Sequence, residues 1–254
     1  MKPTLGRFDM RCLTAIPVYN EARYLQGVLG QVRHYCSDIL VIDDGSTDAT
    51  PDILDLESGV QVLTHRPNRG YGAAIASAFR TFLKSDYDVL VTMDCDGQHE
   101  PERIAVLLEA IHDADIVSGS RYLRDFRQDT PAPADRRSIN TTITREINAR
   151  FELNITDAFC GFKAYRREAV EQLRISENGW GMPLQLWVQA AHLGLRIKEV
   201  GVPRLYLDPK RAFGGVLNDP DERLAYYRRV LASSERELVV AECPAPYGCW
   251  EPCT

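Results

Sequence analysis

The 254-residue chain is 44% hydrophobic and 26% charged, an ordinary composition for a globular protein with room for one large core. Its formal net charge of −6 and pI of about 5.5 argue against nucleic acid as a partner, because phosphate-backbone binding leaves a basic footprint. No run reaches the roughly 18 apolar residues of a membrane-crossing helix, and the opening Met1–Arg7 lacks a signal-peptide apolar centre, so a cytoplasmic protein is expected.

Apolar, β-rich runs at Cys12–Pro17, Ile39–Asp43, Val60–His65, Asp88–Met93 and Ile116–Ser120 predict strands. Helical patterns near Glu21–Tyr35, Asp48–Glu57, Gly72–Lys84 and Pro101–His112 alternate with them. Ile39-Leu40-Val41-Ile42 is continuously apolar, as expected when helices cover both faces of a parallel sheet. The class is therefore α/β, with an open, mostly parallel, doubly wound (Rossmann-like) sheet.

Beyond Ser120 the pattern changes. Arg121–Asp135 is polar with two prolines and reads as a mobile loop. A helix at Arg136–Phe151, a strand at Gly161–Tyr165, an amphipathic helix at Pro183–Leu193 and strands at Arg196–Val200 and Arg204–Leu207 follow. Asp219-Pro220-Asp221 signals the start of a last helix to Leu238, and residues 242–254 are expected to be disordered. Residues 1–241 are expected to form a single domain, its halves meeting near 120/121. The seven cysteines contain no CxxC pair, so neither a zinc site nor a disulfide framework is indicated. Cys12, Cys95 and Cys160 are expected to be buried, and Cys243, Cys249 and Cys253 exposed.

Two strands end in acid: Asp43-Asp44-Gly45-Ser46-Thr47-Asp48 follows one and Asp94-Cys95-Asp96-Gly97-Gln98-His99 another. In a parallel sheet the carboxyl ends share one edge, and ligands bind in the crevice outside it. Continued strand geometry would put Asp94 and Asp96 on one face, about 7 Å apart. Clustered carboxylates repel, and a bound cation relieves that repulsion; oxygen ligands favour Mg²⁺ or Mn²⁺. Read singly, Asp-Gly-Ser-Thr-Asp is also a turn with a helix N-cap, and Asn68-Arg69-Gly70-Tyr71-Gly72 a turn.

Taken together, these residues resemble family 2 glycosyltransferases, specifically the polyprenyl-phosphate (dolichol-phosphate mannose synthase-like) branch. Pro17-Val18-Tyr19-Asn20-Glu21, the Asp43–Asp48 run, Asn68–Ala74, Asp94–His99, Gly119-Ser120-Arg121 and Asp157–Lys163 match its motifs in order, across about residues 11–215. The resemblance implies the GT-A fold and a nucleoside-diphosphate sugar donor of the GDP-mannose or UDP-glucose type. It implies inverting transfer to an acceptor, here a polyprenyl phosphate. By the same resemblance Pro17, Tyr19, Glu21 and Asp44 hold the nucleoside, with Asp43, Asn68, Gly72 and Asp94 beside them. Asp94, Asp96 and Gln98 hold Mg²⁺ or Mn²⁺ against the diphosphate, and Arg121 adds a cation.

The acceptor decides whether a base is needed. A hydroxyl needs a carboxylate within reach, and Asp157 is the candidate; a lipid phosphate is already ionised, and Asp157 then orients the loop before Gly161. A phosphate calls instead for cations, for which Arg136, Lys163 and Arg211 are the candidates. Two departures from the branch fall on this half: Pro183-Leu184-Gln185-Leu186-Trp187 carries no acid, leaving Glu177 upstream, and no Ser follows Arg211-Ala212-Phe213-Gly214-Gly215. A soluble family 2 enzyme acting on a sugar, small-molecule or protein hydroxyl therefore stays open, as does a silent nucleotide-sugar-binding module. Peripheral contact with the inner face of the cell membrane and a homodimer are further options. A Gly-rich nucleotidyltransferase loop and a GxGxxG dinucleotide motif are both absent from the sequence. Trp187, in helical register with Leu184 and Ala191, reads as core, whereas Trp180 is free to stack on a sugar.

Overall fold

The computed structural model describes residues 10–207 and 212–242, with backbone alone for 239–242. One seven-stranded sheet runs in the order β3-β2-β1-β4-β6-β5-β7. Its strands are β1 (Cys12–Val18), β2 (Ile39–Asp43), β3 (Val60–Thr64), β4 (Val89–Thr92), β5 (Ile116–Ser120), β6 (Lys163–Arg166) and β7 (Ile197–Gly201). All pair in parallel except β6, which runs antiparallel to both β4 and β5. All five residues of β2 are buried, which is why its sequence carries no alternation.

Helices cover both faces. On one face, α1 (Leu25–Val32), α2 (Thr50–Leu56) and α4 (Ile104–Ala110) bury their apolar stripes; in α1 this is Leu25, Val28, Leu29 and Val32, at one-turn spacing. On the other lie α3 (Tyr71–Leu83), α6 (Arg167–Gln172) and α7 (Met182–His192). A third cluster joins α7 to α5 (Ala134–Phe151) and α8 (Pro220–Glu242), with Trp187 fully buried in it as its register suggests.

Three expectations are corrected. The helix at 182–192 is not amphipathic: every residue from Met182 to Ala190 is buried, because Met182, Leu186 and Ala190 face the sheet while Leu184, Trp187 and Val188 face α5 and α8. Its Gln185 and Gln189 are tolerated there because they bond the passing backbone at Ser176, Glu177 and Arg174. Arg204–Leu207 is not a strand. Instead, Arg204 and Tyr206 bond side chains and backbone of Asp129 and Thr130, a clasp that also anchors the polar loop at 121–133. Short α6 went unread in the sequence. Cys12 is half-buried, while Cys36, Cys95 and Cys160 are buried, and all four are free thiols. The expected tail beyond Glu242, with its three cysteines, lies outside the described residues.

Strand order reverses at β1, with β2 and β3 to one side and β4 to the other. The crevice at that reversal, outside the carboxyl ends, is where an open α/β sheet binds its ligand.

Candidate active site

Four strand ends feed this crevice. Tyr19 and Glu21 follow β1, Asp44 follows β2, Asp94 and Asp96 follow β4, and Arg121 follows β5; all line one cavity of about 220 Å³. Antiparallel β6 is entered from the same edge, so the Asp157–Gly161 segment arrives under its floor.

The wall beneath the ends of β1 and β2 is built by interlocked loops. Asn20, at φ 58°, accepts the Thr47 and Asp48 amides at 2.7 and 3.2 Å, and Asp43 accepts Ser46 N–H at 3.0 Å. Asp44 accepts the Arg69 and Gly70 amides at 2.9 and 2.8 Å and pairs with His65 Nδ1 at 2.7 Å. Asn68 donates to the Asp44 carbonyl at 2.9 Å. Pro17, Tyr19, Glu21, Asp44 and Asp94 therefore reach the cavity, whereas Asp43 and Asn68 brace the loops behind it. Gly72 is off the cavity wall; a Cβ there would lie 2.0 Å from the Glu177 carbonyl, so glycine lets α3 touch the 177–178 backbone.

The strand before the acidic pair ends at Thr92, two residues earlier than Asp94, so strand spacing does not govern these aspartates. Gly97, at φ 74°, turns the chain, and Asp96 accepts Gln98 N–H at 3.0 Å and Gln98 Nε2 at 2.7 Å. Gln98 thus orients Asp96. Asp94 donates its amide to His99 Nδ1 at 3.1 Å, while its Oδ1 is buried with no hydrogen-bond partner. A Cβ on Gly161 would lie 2.5 and 2.7 Å from the Asp94 oxygens and 2.7 Å from Tyr71 Oη. Burial and the Asp94 charge hold the Tyr71 phenol protonated well beyond its ordinary range. Among the described residues no three His, Cys, Asp or Glu groups form a metal cage. Two carboxylates with an orphaned buried oxygen nonetheless suit Mg²⁺ or Mn²⁺, which take one or two carboxylates and complete their shell with water and phosphate.

Opposite this pair, Arg121 binds Asp157 through Nε–Oδ2 at 2.7 Å, Nη2–Oδ1 at 2.9 Å and its own amide at 3.1 Å. Asn140 donates to Asp157 Oδ1 at 2.7 Å, and the Phe159 amide adds a further bond. Burial alone would raise the Asp157 pKa, but the Arg121 charge and these donors outweigh it and hold the acid well below the carboxylate range. So saturated a carboxylate is a weak base, and its position fits the orienting role. Lys163 does not meet an acceptor: it is 2% exposed, donates to the Cys160 carbonyl and sits 5.1 Å from the Trp187 ring. Burial lowers its pKa, partly offset by Asp157 and Asp94.

Arg136 lines the cavity over Phe213 at 4.9 Å. Arg211 lies outside the described residues. Arg223 was not singled out in the sequence, where it reads as one more charge at the start of a surface helix. In the structure it is 2% exposed, held by Asp135 and the Leu217 carbonyl, and it lines the cavity beneath Phe213. Trp180 stacks on Tyr71 at 5.3 Å, tying this side of the cavity to the residue beside Asp94.

The model of Glycosyl transferase family 2 matches residues 14–174, which include the loops after β1 and β2 and the acidic pair. The chain belongs to glycosyl transferase family 2. It is a glycosyltransferase. It is 36% identical over 221 residues to the undecaprenyl-phosphate mannosyltransferase of Micrococcus luteus, covering 83% of this chain and 90% of that one. It is 35% identical over 217 residues to the polyprenol monophosphomannose synthase of Mycolicibacterium smegmatis, covering 79% of each. The fold is similar to that of Mycobacterium tuberculosis glucosyl-3-phosphoglycerate synthase in complex with Mn²⁺ and UDP-glucose, with a TM-score of 0.63 at 21% identity over 94% of this chain and 80% of that one. The GT-A architecture follows from that likeness.

Proposed function

We propose that this glycosyltransferase moves a hexose from a nucleoside-diphosphate sugar to a polyprenyl phosphate. The observation that carries the acceptor assignment is the state of Asp157: buried, bidentate to Arg121 and bonded to Asn140, it is unavailable as a base. A phosphate acceptor needs none, and Arg136 and Arg223 on the same cavity suit its charge. The names of the two relatives above support the same reading.

In this reading Tyr19, Glu21 and Asp44 seat the nucleoside. Asp94 and Asp96 hold the donor diphosphate through Mg²⁺ or Mn²⁺, with Gln98 orienting Asp96. The ion, when bound, neutralises charge on the leaving diphosphate. Arg121, fixed by Asp157, directs a second positive charge into the cavity. An acceptor phosphate oxygen attacks the anomeric carbon from the side opposite the diphosphate. The new C–O bond forms as the bond to the diphosphate breaks, inverting the centre and releasing the nucleoside diphosphate. In this reading the lipid acceptor is met by peripheral contact with the membrane; among the described residues no helix is long and apolar enough to cross one.

The test supplies radiolabelled GDP-mannose or UDP-glucose with Mn²⁺ and undecaprenyl phosphate, and follows label into the organic phase. Mild-acid-labile lipid product is expected. Comparable transfer to a hydroxyl acceptor would overturn the acceptor assignment, and neither transfer nor donor hydrolysis would leave a binding module.

A further inference from the structure

A second groove lies between edge strand β3 and helix α3 and has no part in that reaction. Thr64, His65 and Arg66 form one wall; Ser77, Arg80, Thr81 and Lys84 form the other, and Arg69 closes one end. The spacing of Ser77, Arg80, Thr81 and Lys84 puts them on a single helical stripe. Arg66, Arg69, Arg80 and Lys84 are exposed, and among the described residues none is paired with a carboxylate. Among the described residues no carboxylate lines the groove. In a chain of net charge −6 such an unneutralised concentration of cations stands apart from the general surface.

The floor is ordered and polar. Ser77 Oγ, in a residue 4% exposed, accepts Arg80 Nη2 at 2.7 Å and meets His65 Nε2 at 2.8 Å, while His65 Nδ1 meets Asp44 Oδ1 at 2.7 Å. Because Arg80 can only donate and the Asp44 carboxylate can only accept, Arg80 donates to Ser77 and His65 Nδ1–H to Asp44, which leaves Ser77 Oγ to donate to Nε2 of the neutral ring. Arg80 is therefore held at the base of the groove with the rest of its guanidinium edge free for a second acceptor.

We propose that this groove binds a phosphoryl anion, at a site separate from the donor diphosphate. Guanidinium forks match phosphate oxygens in geometry as well as charge, and Lys84 supplies a point charge beside them. A free phosphate and the phosphomonoester of a lipid headgroup present the same chemistry. Binding there does not depend on the transfer reaction, so its test omits sugar donor and includes EDTA.

The experiment titrates inorganic phosphate into the full chain by calorimetry at low ionic strength, and floats the chain with phosphatidylcholine vesicles with or without phosphatidic acid. Wild type and Asp96→Asn are expected to bind alike. Arg66→Gln/Lys84→Gln, which alters only exposed side chains and leaves the floor intact, is expected to bind at least tenfold more weakly, and Arg80→Gln likewise. Saturable phosphate binding lost in these variants supports the site with a soluble anion as its ligand. Capture by phosphatidic acid vesicles, lost in the same variants, supports it with a lipid phosphate. No binding to either probe by wild type, or binding that the groove variants retain, overturns it.

Discussion

Replacing Gly161 with alanine tests the acidic pair without touching it. The added Cβ would lie 2.5 Å from Asp94 Oδ2 and 2.7 Å from Oδ1, whereas ordinary contact begins at about 3.5 Å. The backbone at 161 cannot easily retreat, since Thr92 Oγ1 holds its carbonyl at 2.8 Å. Neither can Tyr71, backed by Trp180, nor the Asp94 amide, held by His99, whose ring stacks on Phe162 at 5.1 Å. The Asp94 carboxylate must therefore swing by roughly an ångström. A displacement of that size in a positioning group costs about 10²-fold in rate, or about 2.7 kcal/mol of transition-state stabilisation. Initial rates across a Mn²⁺ titration should show that loss together with weakened apparent metal affinity. Residue 161 is not among the glycines with positive φ, so alanine adds no backbone strain there, and its overpacking against Asp94 and Tyr71 should lower stability by no more than about 1–3 kcal/mol. A variant with normal rate, normal metal dependence and normal stability would refute the placement of Asp94 at the metal.

Gly72→Ala should fail differently: its Cβ meets backbone, the Glu177 carbonyl at 2.0 Å, so it should lower stability by about 1–3 kcal/mol in urea unfolding. Asp96→Ala should abolish Mn²⁺-dependent binding of nucleoside diphosphate in calorimetry with the melting temperature retained; titration like wild type would remove Asp96 from the site. Arg136→Gln should raise the acceptor KM more than the donor KM, while Lys163→Met should leave the acceptor KM within about twofold, since the Lys163 ammonium is held by the Cys160 carbonyl. The depressed Asp157 pKa adds stability that is complete above the unfolded carboxylate value of about 3.9 and is lost as pH falls toward the folded value. Urea midpoints from pH 6 downward should thus fall more steeply for wild type than for Asp157→Asn; parallel curves would deny the pairing.

Much of this was legible in the chain because the residues up to about Ser120 obey local rules. Continuous apolar strands, helical stripes and acid-terminated strand ends each leave a short-range signal, and their alternation implies the sheet order near β1. The residues after Ser120 obey long-range ones. β6 was legible as a strand, but its antiparallel direction depends on pairing with β4 and β5, and the 204–207 run, β-like in composition, is claimed by side chains of a loop some 75 residues away. Arg223 and Lys163 show the same limit: both are written as ordinary charges, and only the packing of α8 and of the 157–161 segment buries them. Gly161 was in view as a motif letter, but its reason, the carboxylate that occupies the space of a Cβ, exists only in three dimensions.

The same packing links the two halves chemically. Asp157 sits on the strand-entry segment that also brings Gly161 to Asp94, so the contacts that fix Arg121 and those that shape the surroundings of Asp94 share one stretch of backbone. Thr156 and the Asp157 amide are held in turn by Glu199, at the far strand β7, with bonds of 2.8 and 3.2 Å. Burial raises the Glu199 pKa against the pull of these amides, and its charge lies close to that of Asp157. That repulsion is tolerable only while Arg121 neutralises Asp157. Removing the arginine therefore leaves Asp157 without its ion-pair partner and beside a second acid, a buried-ion penalty of about 3–5 kcal/mol. Arg121→Met should consequently lose stability as well as turnover, and Arg121→Met/Asp157→Asn should regain most of the stability without regaining turnover. Recovery of both by the double variant would mean that Arg121 acts only as a structural partner and never on the leaving group.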